Sequence, residues 1–558
     1  MATNIGVNVT TASVPAGTGA PTNSGVAFIV GLADRGPTTA VLCLNLAQFV
    51  SSFGSRVSGN SVLYDAVETY FREGGQAAYV ARVTDNTATA AALTLNDGLP
   101  SPKPTVVVTA ATPGLDGNNT DVVVTNDAVA TFTANTATNT TLSNISSTTN
   151  LAAGVKVTGA GISAGTYIVS VNPGAGTAVL SQATTATATG VTITPFTFTV
   201  KVEDSSGNVL ETHGPYQTTA QLFADTTSTL VAFTQSAGSG FTTNQPAALS
   251  LTALTGGADA NDLTDASYVT TANSAFGPEL GPGQILAPGR TSSTVWTGLI
   301  AHAKANNRHA LLDQADQSTV AAIVTQASSL RAASNASYSS TYSPQCLVPG
   351  VTPGTTRTVA ASAVAAGLCA RVHATGNENQ APAGQTWPLQ FVTGFSVNTQ
   401  TAGGFALADL TTLYNGGVNG FTVRFGVPCL YGFSTPVAPT SDAVFWDAAA
   451  SRERMRLVAS AQAIGENYVF ATIDGKGLLL SKFGGDLQAL IARHWTSGAL
   501  FGATAADAGS VDLSANTPTS EQAGNLVATL TVRISPFAEF VSIAVVTIPI
   551  SQSVPVAA

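Results

Sequence analysis

At 558 residues the chain is long enough for roughly three or four domains. Charged residues are 9% of it, against about 25% in an ordinary domain, while 44% are hydrophobic and the mean hydropathy is positive. Thr, Ser or Asn interrupts every apolar run short of the ~18 residues a membrane span needs, so broad protein interfaces, not lipid, are the expected cover. A net charge of −10 with 21 Lys and Arg excludes the basic footprint that nucleic-acid binding requires. Cys43, Cys346, Cys369 and Cys429 stand far apart with no CxxC pair, which excludes a zinc site or a disulfide framework and reads as buried thiols in a reducing cytoplasm. The N-terminal MATNIGVNVTTASVPAG lacks the basic and apolar stretches of a secretion signal, and assembly in the cytoplasm is expected.

Residues 1–25 carry no charge, alternate apolar and polar at Ile5, Val7 and Val9, and then run into Pro, Gly, Thr and Ser, the pattern of an extended arm. Val26 to Gly31, in SGVAFIVGLADRGP, is a continuous apolar run bounded by turn residues and predicts a buried strand. In NSVLYDAVETYFREGG the residues Leu63, Ala66, Val67, Tyr70 and Phe71 share one helical face, with Asn60 or Ser61 as N-cap and Gly74 as stop. QAAYVARV supplies a second strand, so 26–90 reads as the start of an α/β core.

From about residue 90 to 255 helical periodicity vanishes. Short runs such as TVVVT, ATFTA, TYIVSV and TFTVKV recur between turns, which predicts an all-β insertion of one or two sandwich-like modules. Helices return with TSSTVWTGLIAHAKANN, whose Val295, Trp296, Leu299, Ile300 and Ala303 share a face between the apolar runs QILAPG and HALLD, and with DQSTVAAIVTQASSLRAA. A Ser/Tyr-rich segment, an Ala-rich helix over Val359 to Arg371 and the turn-rich GNENQAPAGQ follow. Strands are expected in FTVRFG and PCLYGF, helices over Asp442 to Ala463 and Leu479 to Thr496, and further strand-formers in NLVATLTVRI and EFVSIAVVTIPI. The fold class is therefore α/β (mixed α+β) with an all-β insertion and extended ends.

Candidate chemistry is thin. Gly161, Ser163 and Gly165 have the GxSxG spacing of a nucleophile elbow, which needs a strand before the serine and a helix after it; here both flanks are strand-like, and a hairpin turn is expected, with a serine hydrolase using Ser163 as the remote alternative. His213, His302, His309, His373 and His494 have no context that marks a catalytic base, and each reads as a surface or packing histidine. Asp259, Asp262 and Asp265 miss the ligand spacing of a calcium loop and read as a loop in which Asp262 or a neighbour caps the next helix. Arg452, Arg454 and Arg456 read as solvated or inter-subunit ion pairs. No catalytic, cofactor or metal residue is assigned. SGALFGATAADA, residues 497–508, leads from helix towards strand, the wrong order for a phosphate loop; Gly498 and Gly502 read as turn glycines that let Leu500 and Phe501 pack inward.

The uncharged strand-formers at the two ends are more telling. A free edge strand of that kind templates association, so Ile5, Val7 and Val9 at one end and Val541, Ile543, Val545 and Ile548 at the other are expected to add to the sheets of neighbouring copies.

In order, SGVAFIVGLADRGP, LAQFVSSFG, SVLYDAVETYFREGGQAAYVARV, LTGGAD, ILAPG, RHALLD and YNGGVNGFTVRF, then ENYVFATID, LIARHWTSGALFGATAADA and NTPTSEQAGNLVATLTVRISPFAEFV, resemble the tail sheath proteins of contractile bacteriophages. The likeness covers most of the chain outside the β insertion and is densest from Arg452 onward. It implies a structural, non-catalytic subunit forming hexameric rings stacked helically around a tail tube, with baseplate and tail terminator proteins as further partners, no cofactor, and a virion tail as its location. It further implies arms woven into adjacent subunits and a contraction that drives the tube through the host envelope, with the sheath of a phage-like bacteriocin or secretion system as the alternative. The implied organisation is an N-terminal arm over 1–25, core over 26–90, insertion over 91–258, core again over 259–375, a C-terminal sheath domain over 376–539 and a strand arm over 540–558. Lys482 and Arg493, on the helix over Leu479 to Thr496, are the candidate tube contacts. PCLYGFSTPV and GSVDL depart from the family pattern, so no contact is carried over to them.

Overall fold

The structure, a computed structural model, describes residues 22–538 apart from 85–86, 238–239, 241, 260–262, 317–318, 332, 334 and 397–404. Ile5, Val7, Val9, Val541, Ile543, Val545 and Ile548 lie outside the described residues, as does Asp262. The chain divides into two compact units, one of Met1–Ile29, Asp65–Tyr79 and Phe276–Ala558, the other of Val30–Tyr64 and Val80–Ala275.

The first unit is built on a sheet in which the strands Ala27–Gly31, Gln284–Leu286, His309–Asp313, Ser339–Ser343 and Val418–Arg424 lie side by side in that order, each parallel to the next. Val427–Tyr431 closes this edge as an antiparallel hairpin partner of Val418–Arg424. AFIVG and HALLD are buried at every position, as a parallel sheet covered on both faces demands. Ser339–Ser343 is equally buried, although its composition, Ser-Ser-Thr-Tyr-Ser, gives no apolar signal. Three of its hydroxyls are satisfied, which makes the burial tolerable: Ser339 Oγ donates to the Ala336 carbonyl at 2.9 Å, Ser340 Oγ meets His309 Nε2 at 2.9 Å, and Thr341 Oγ1 donates to the Gly417 carbonyl at 3.0 Å.

Helices follow the predicted apolar faces. In Ser293–Ala305 the N-cap Ser292 accepts from Val295 N, and Val295, Trp296, Leu299, Ile300 and Ala303 are all buried. The Ala-rich helix Ala361–Ala374 starts where the buried Asp313 carboxylate, at the end of its strand, accepts from Ser362 N and Ser362 Oγ at 2.7 Å each and from Gly289 N at 2.9 Å. The next long helix is Ala448–Glu466; it begins later than Asp442 because the Asp442 side chain accepts from Val444 N and Phe445 N and closes a turn instead.

Leu478–Thr496 ends in a Schellman motif: Ala499 N donates to the His494 carbonyl at 3.0 Å, Gly498 N to that of Trp495 at 2.9 Å, and Gly498 takes φ +83°. Leu500 then packs inward, but Phe501 is 59% exposed, contrary to the sequence expectation. The turn places only one of the two adjacent side chains on the core side. A two-stranded antiparallel sheet, Gly509–Asp512 against Thr529–Val532, completes this region.

The second unit holds the β-rich stretch. Its central strand, Thr187–Asp204, is 18 residues long and pairs antiparallel with Thr120–Ala128, Phe132–Ala137, Lys156–Gly159 and Val209–Tyr216. That strand feeds two separate cores: Phe198, Val200 and Val202 join Val106 and Phe233 in one, and Ile193 joins Phe132, Val157 and Ile168 in the other. A short α-helix, Thr219–Phe223, interrupts the β pattern through a Thr218/Gln221 capping box that apolar periodicity does not reveal. Asp259 pairs with Arg82 at 3.7 Å and accepts from Leu115 N at 3.0 Å, so it works as a loop brace.

Candidate functional site: a buried polar cluster near both ends of the described residues

The helix Ala448–Glu466 turns Arg452 and Glu453 into the interior, where both are fully buried. This corrects the expectation of solvated or inter-subunit pairing for Arg452. A guanidinium without water must be neutralised within the protein, and Glu378, from the turn-rich segment, does so: Arg452 Nη2 lies 2.6 Å from Glu378 Oε2 and donates to the Cys369 carbonyl at 3.0 Å. Arg454 instead lies over the Tyr338 ring, 3.9 Å from its centroid, and the Phe445 ring at 4.2 Å. Arg456 donates from Nη1 to the Gly376 carbonyl.

The other oxygen of Glu378, Oε1, accepts from Ser24 Oγ and from His373 Nδ1, the latter at 2.6 Å. Burial pushes this carboxyl up, but Arg452 first, then His373 and Ser24, outweigh burial and hold it below the ordinary carboxylate range. Ser24 is fixed a second time, by Gln284 Nε2 donating to its carbonyl at 2.6 Å. The Tyr70 hydroxyl stands 2.9 Å from the Gly25 carbonyl and 2.7 Å from that of Ala77, within reach of donating to either.

The residue after Glu378 does the same for the other end of the described chain. Asn379 Nδ2 lies 2.6 Å from the Ser535 carbonyl and 3.1 Å from that of Ala499, while Asn377 Nδ2 donates to the Ser497 carbonyl at 2.9 Å. Ser535 N donates to the Ala499 carbonyl at 3.0 Å, and Leu500 pairs with Ile534 in an isolated antiparallel bridge. Asn377 to Asn379 thus anchors the residues that follow 1–21 and those that precede 539–558.

Serine, histidine and glutamate together invite a catalytic reading, which the geometry rules out. A nucleophile and an acid must occupy opposite nitrogens of the imidazole; here Ser24, at 3.0 Å, and Glu378 both address His373 Nδ1, and Ser24 is fully buried. Ser163 lies in the turn between the antiparallel strands Lys156–Gly159 and Thr166–Asn172, the hairpin its flanks predict.

The remaining histidines are packed and partnered. His494 Nδ1 meets Glu453 Oε1, both buried. His302 Nε2 accepts from Arg308 Nη1 at 2.8 Å; burial first, then Arg308, pushes His302 down to about 3. Burial with Arg452 and Arg454 pushes His309 equally down to about 3, so both imidazoles are neutral. In the second unit His213 sits between Asp225 at 2.8 Å and Glu211 at 3.2 Å. All four cysteines are buried free thiols. Among the described residues no cluster of side chains could hold a metal, and no helix is long and apolar enough to cross a membrane.

Beside the cluster opens a concavity of about 350 Å³ lined by Thr22, His373, Gly376, Arg456, Arg493 and His494 among others. Arg493 therefore faces a pocket. Lys482, roughly three turns earlier on the same helix, lies exposed, with its ammonium 6.0 Å from the Tyr468 ring centroid.

No family profile matches the sequence, and no curated protein matches it either. Solved structures do. A sheath tail protein from Listeria innocua aligns over 90% of this chain and 90% of its own, with 13% identity and a TM-score of 0.52. A chain of the anti-feeding prophage baseplate in its contracted state aligns over 99% of this chain and 100% of its own, with 13% identity and a TM-score of 0.51. The fold is that of contractile sheath tail proteins.

Proposed function

Starting from a fold shared with contractile sheath proteins, we propose that this chain is the structural subunit of a contractile tail sheath. Copies polymerise as hexameric rings stacked helically around a tail tube, and the stack shortens to drive the tube through a host envelope. The observation that carries this reading is the full-length structural likeness, over 90% and 99% of the chain, to a sheath tail protein and to a chain of a contracted baseplate. The anchoring of Ser24 by Glu378 and of Ser535 by Asn379 supports it, because arms that bind neighbours need a rigid base.

In this reading the chain catalyses nothing. Its partners are other copies of itself, the tube, the baseplate and a terminator, and it works in a virion tail after assembly in the host cytoplasm. Ile5, Val7 and Val9 and Val541, Ile543, Val545 and Ile548 add as strands to adjacent copies, Lys482 faces the tube, and 91–258 stands outward as one or two modules. A phage-like particle is the second reading, favoured by the likeness to an anti-feeding prophage; tail genes beside the coding sequence distinguish the two. Negative-stain microscopy of the purified chain tests both, with ring stacks or tubes of uniform width expected. A chain that stays monomeric at high concentration refutes the proposal.

A further inference from the structure

The concavity beside Glu378 is unusual for what faces it. Arg456, Arg493, His373 and His494 line it, and its lining contains no carboxylate. The nearest acids are already engaged: Glu378 by Arg452, Ser24 and His373, and Glu453 by His494. Both imidazoles meet those acids through Nδ1, and among the described residues the Nε2 of each has no hydrogen bond. Arg456 uses one N–H group on the Gly376 carbonyl, and the Arg493 side chain makes no hydrogen bond or ion pair among the described residues. In a chain with only 21 Lys and Arg, two guanidinium groups with donors to spare meet in one hollow. Planar, multiply donating guanidinium groups fit a carboxylate or another oxyanion.

The same unit carries a carboxylate with no partner of its own among the described residues. From residue 499 to 532 the only charged residues are Asp507, Asp512 and Glu521. Asp507 is taken by its capping box with Thr504, and Asp512 accepts from Ser514 N. Glu521, on the short helix Pro518–Gln522, has no side-chain hydrogen bond or ion pair among the described residues.

We propose that the hollow formed by Arg456, Arg493, His373 and His494 receives the Glu521 carboxylate of a second copy of this chain. Hollow and carboxylate are different patches on each copy, so the contact is head-to-tail and propagates into a ring or helix. It rests on the self-assembly proposed above and adds to that reading an ionic contact separate from strand addition.

Assembly of the purified full-length chain, followed by light scattering and negative-stain microscopy, tests it. R456Q/R493Q is expected to raise the concentration needed for assembly about tenfold, as the loss of ~1.4 kcal/mol per contact would. R493E and E521R are each expected to assemble poorly, and the double exchange R493E/E521R to recover. Circular dichroism and thermal unfolding check that every variant folds. Single exchanges that assemble like the parent overturn the proposal, as does a double exchange that stays impaired. If inorganic phosphate shifts the His373 and His494 ring signals while the exchange variants assemble normally, the hollow serves a free oxyanion and the proposal falls. A parent chain that never assembles refutes the sheath reading itself, whereas assembly indifferent to these charges refutes only this contact.

Discussion

Replacing Glu378 by Gln keeps the shape of the side chain and removes its charge. The consequence follows from Arg452, which is fully buried, has Glu378 as its acidic partner at 2.6 Å, and leaves Nε and Nη1 without hydrogen bonds. An intact buried pair contributes little net stability, because desolvation offsets the attraction; removing one member leaves an uncompensated charge at about 3–5 kcal/mol. Equilibrium urea unfolding of the isolated chain should therefore show E378Q less stable by about that amount. The double variant E378Q/R452M should recover most of it, since Met fills the volume without charge. A loss below about 1 kcal/mol in E378Q, or no recovery in the double variant, would show that Arg452 finds another counter-charge or water and would refute the reasoning.

Acid should weaken the first unit through His302 and His309. Both are held at about 3 in the fold against 6.5 unfolded, so their contribution is complete above pH 6.5 and is lost as the pH falls towards 3. At pH 4.5 the loss approaches about 3 kcal/mol per histidine, and Glu378, whose folded carboxyl is also depressed, adds to it below its ordinary range. Unfolding midpoints measured across that window check the sign. G498A should cost about 1 kcal/mol from its φ of +83° alone, since an added Cβ meets nothing closer than Asn377 Nδ2 at 3.8 Å; thermal unfolding measures it. Removing residues 541–558 should abolish tubes in negative stain while leaving the thermal transition of the core unchanged.

Elements that bury apolar side chains at a regular period are legible in the sequence alone: Ala27–Gly31, Ser293–Ala305 with its five buried apolar residues, and Leu478–Thr496. Elements buried through polar chemistry are not. Ser339–Ser343 carries no apolar signal because it is Ser-Ser-Thr-Tyr-Ser, and the partners that let Ser339, Ser340 and Thr341 be buried are Ala336, His309 and Gly417, two of them distant in sequence. The cluster is hidden for the same reason. Arg452 reads as one of three surface arginines and Glu378 as a loop residue, and nothing local reveals that the fold joins Ser24 to Glu378 across 354 positions. A buried ion pair is a property of two places at once, whereas periodicity reports on one. Phe501 departs from expectation differently: a turn glycine marks where the chain reverses, not which neighbour faces inward.

The anchoring of Ser24 and Ser535 at neighbouring residues has a mechanical consequence. Ser24 is held by Glu378 and Ser535 by Asn379, so tension applied to either end enters the protein through adjacent peptide units. From Glu378 it reaches the helix Ala448–Glu466 through Arg452, and from Ser24 it also enters the parallel sheet, through Gln284 and the strand that begins at Ala27. In the proposed assembly, a pull from one neighbour would thus be shared at once between the other end of the chain, two adjacent residues away, and the strands of the sheet.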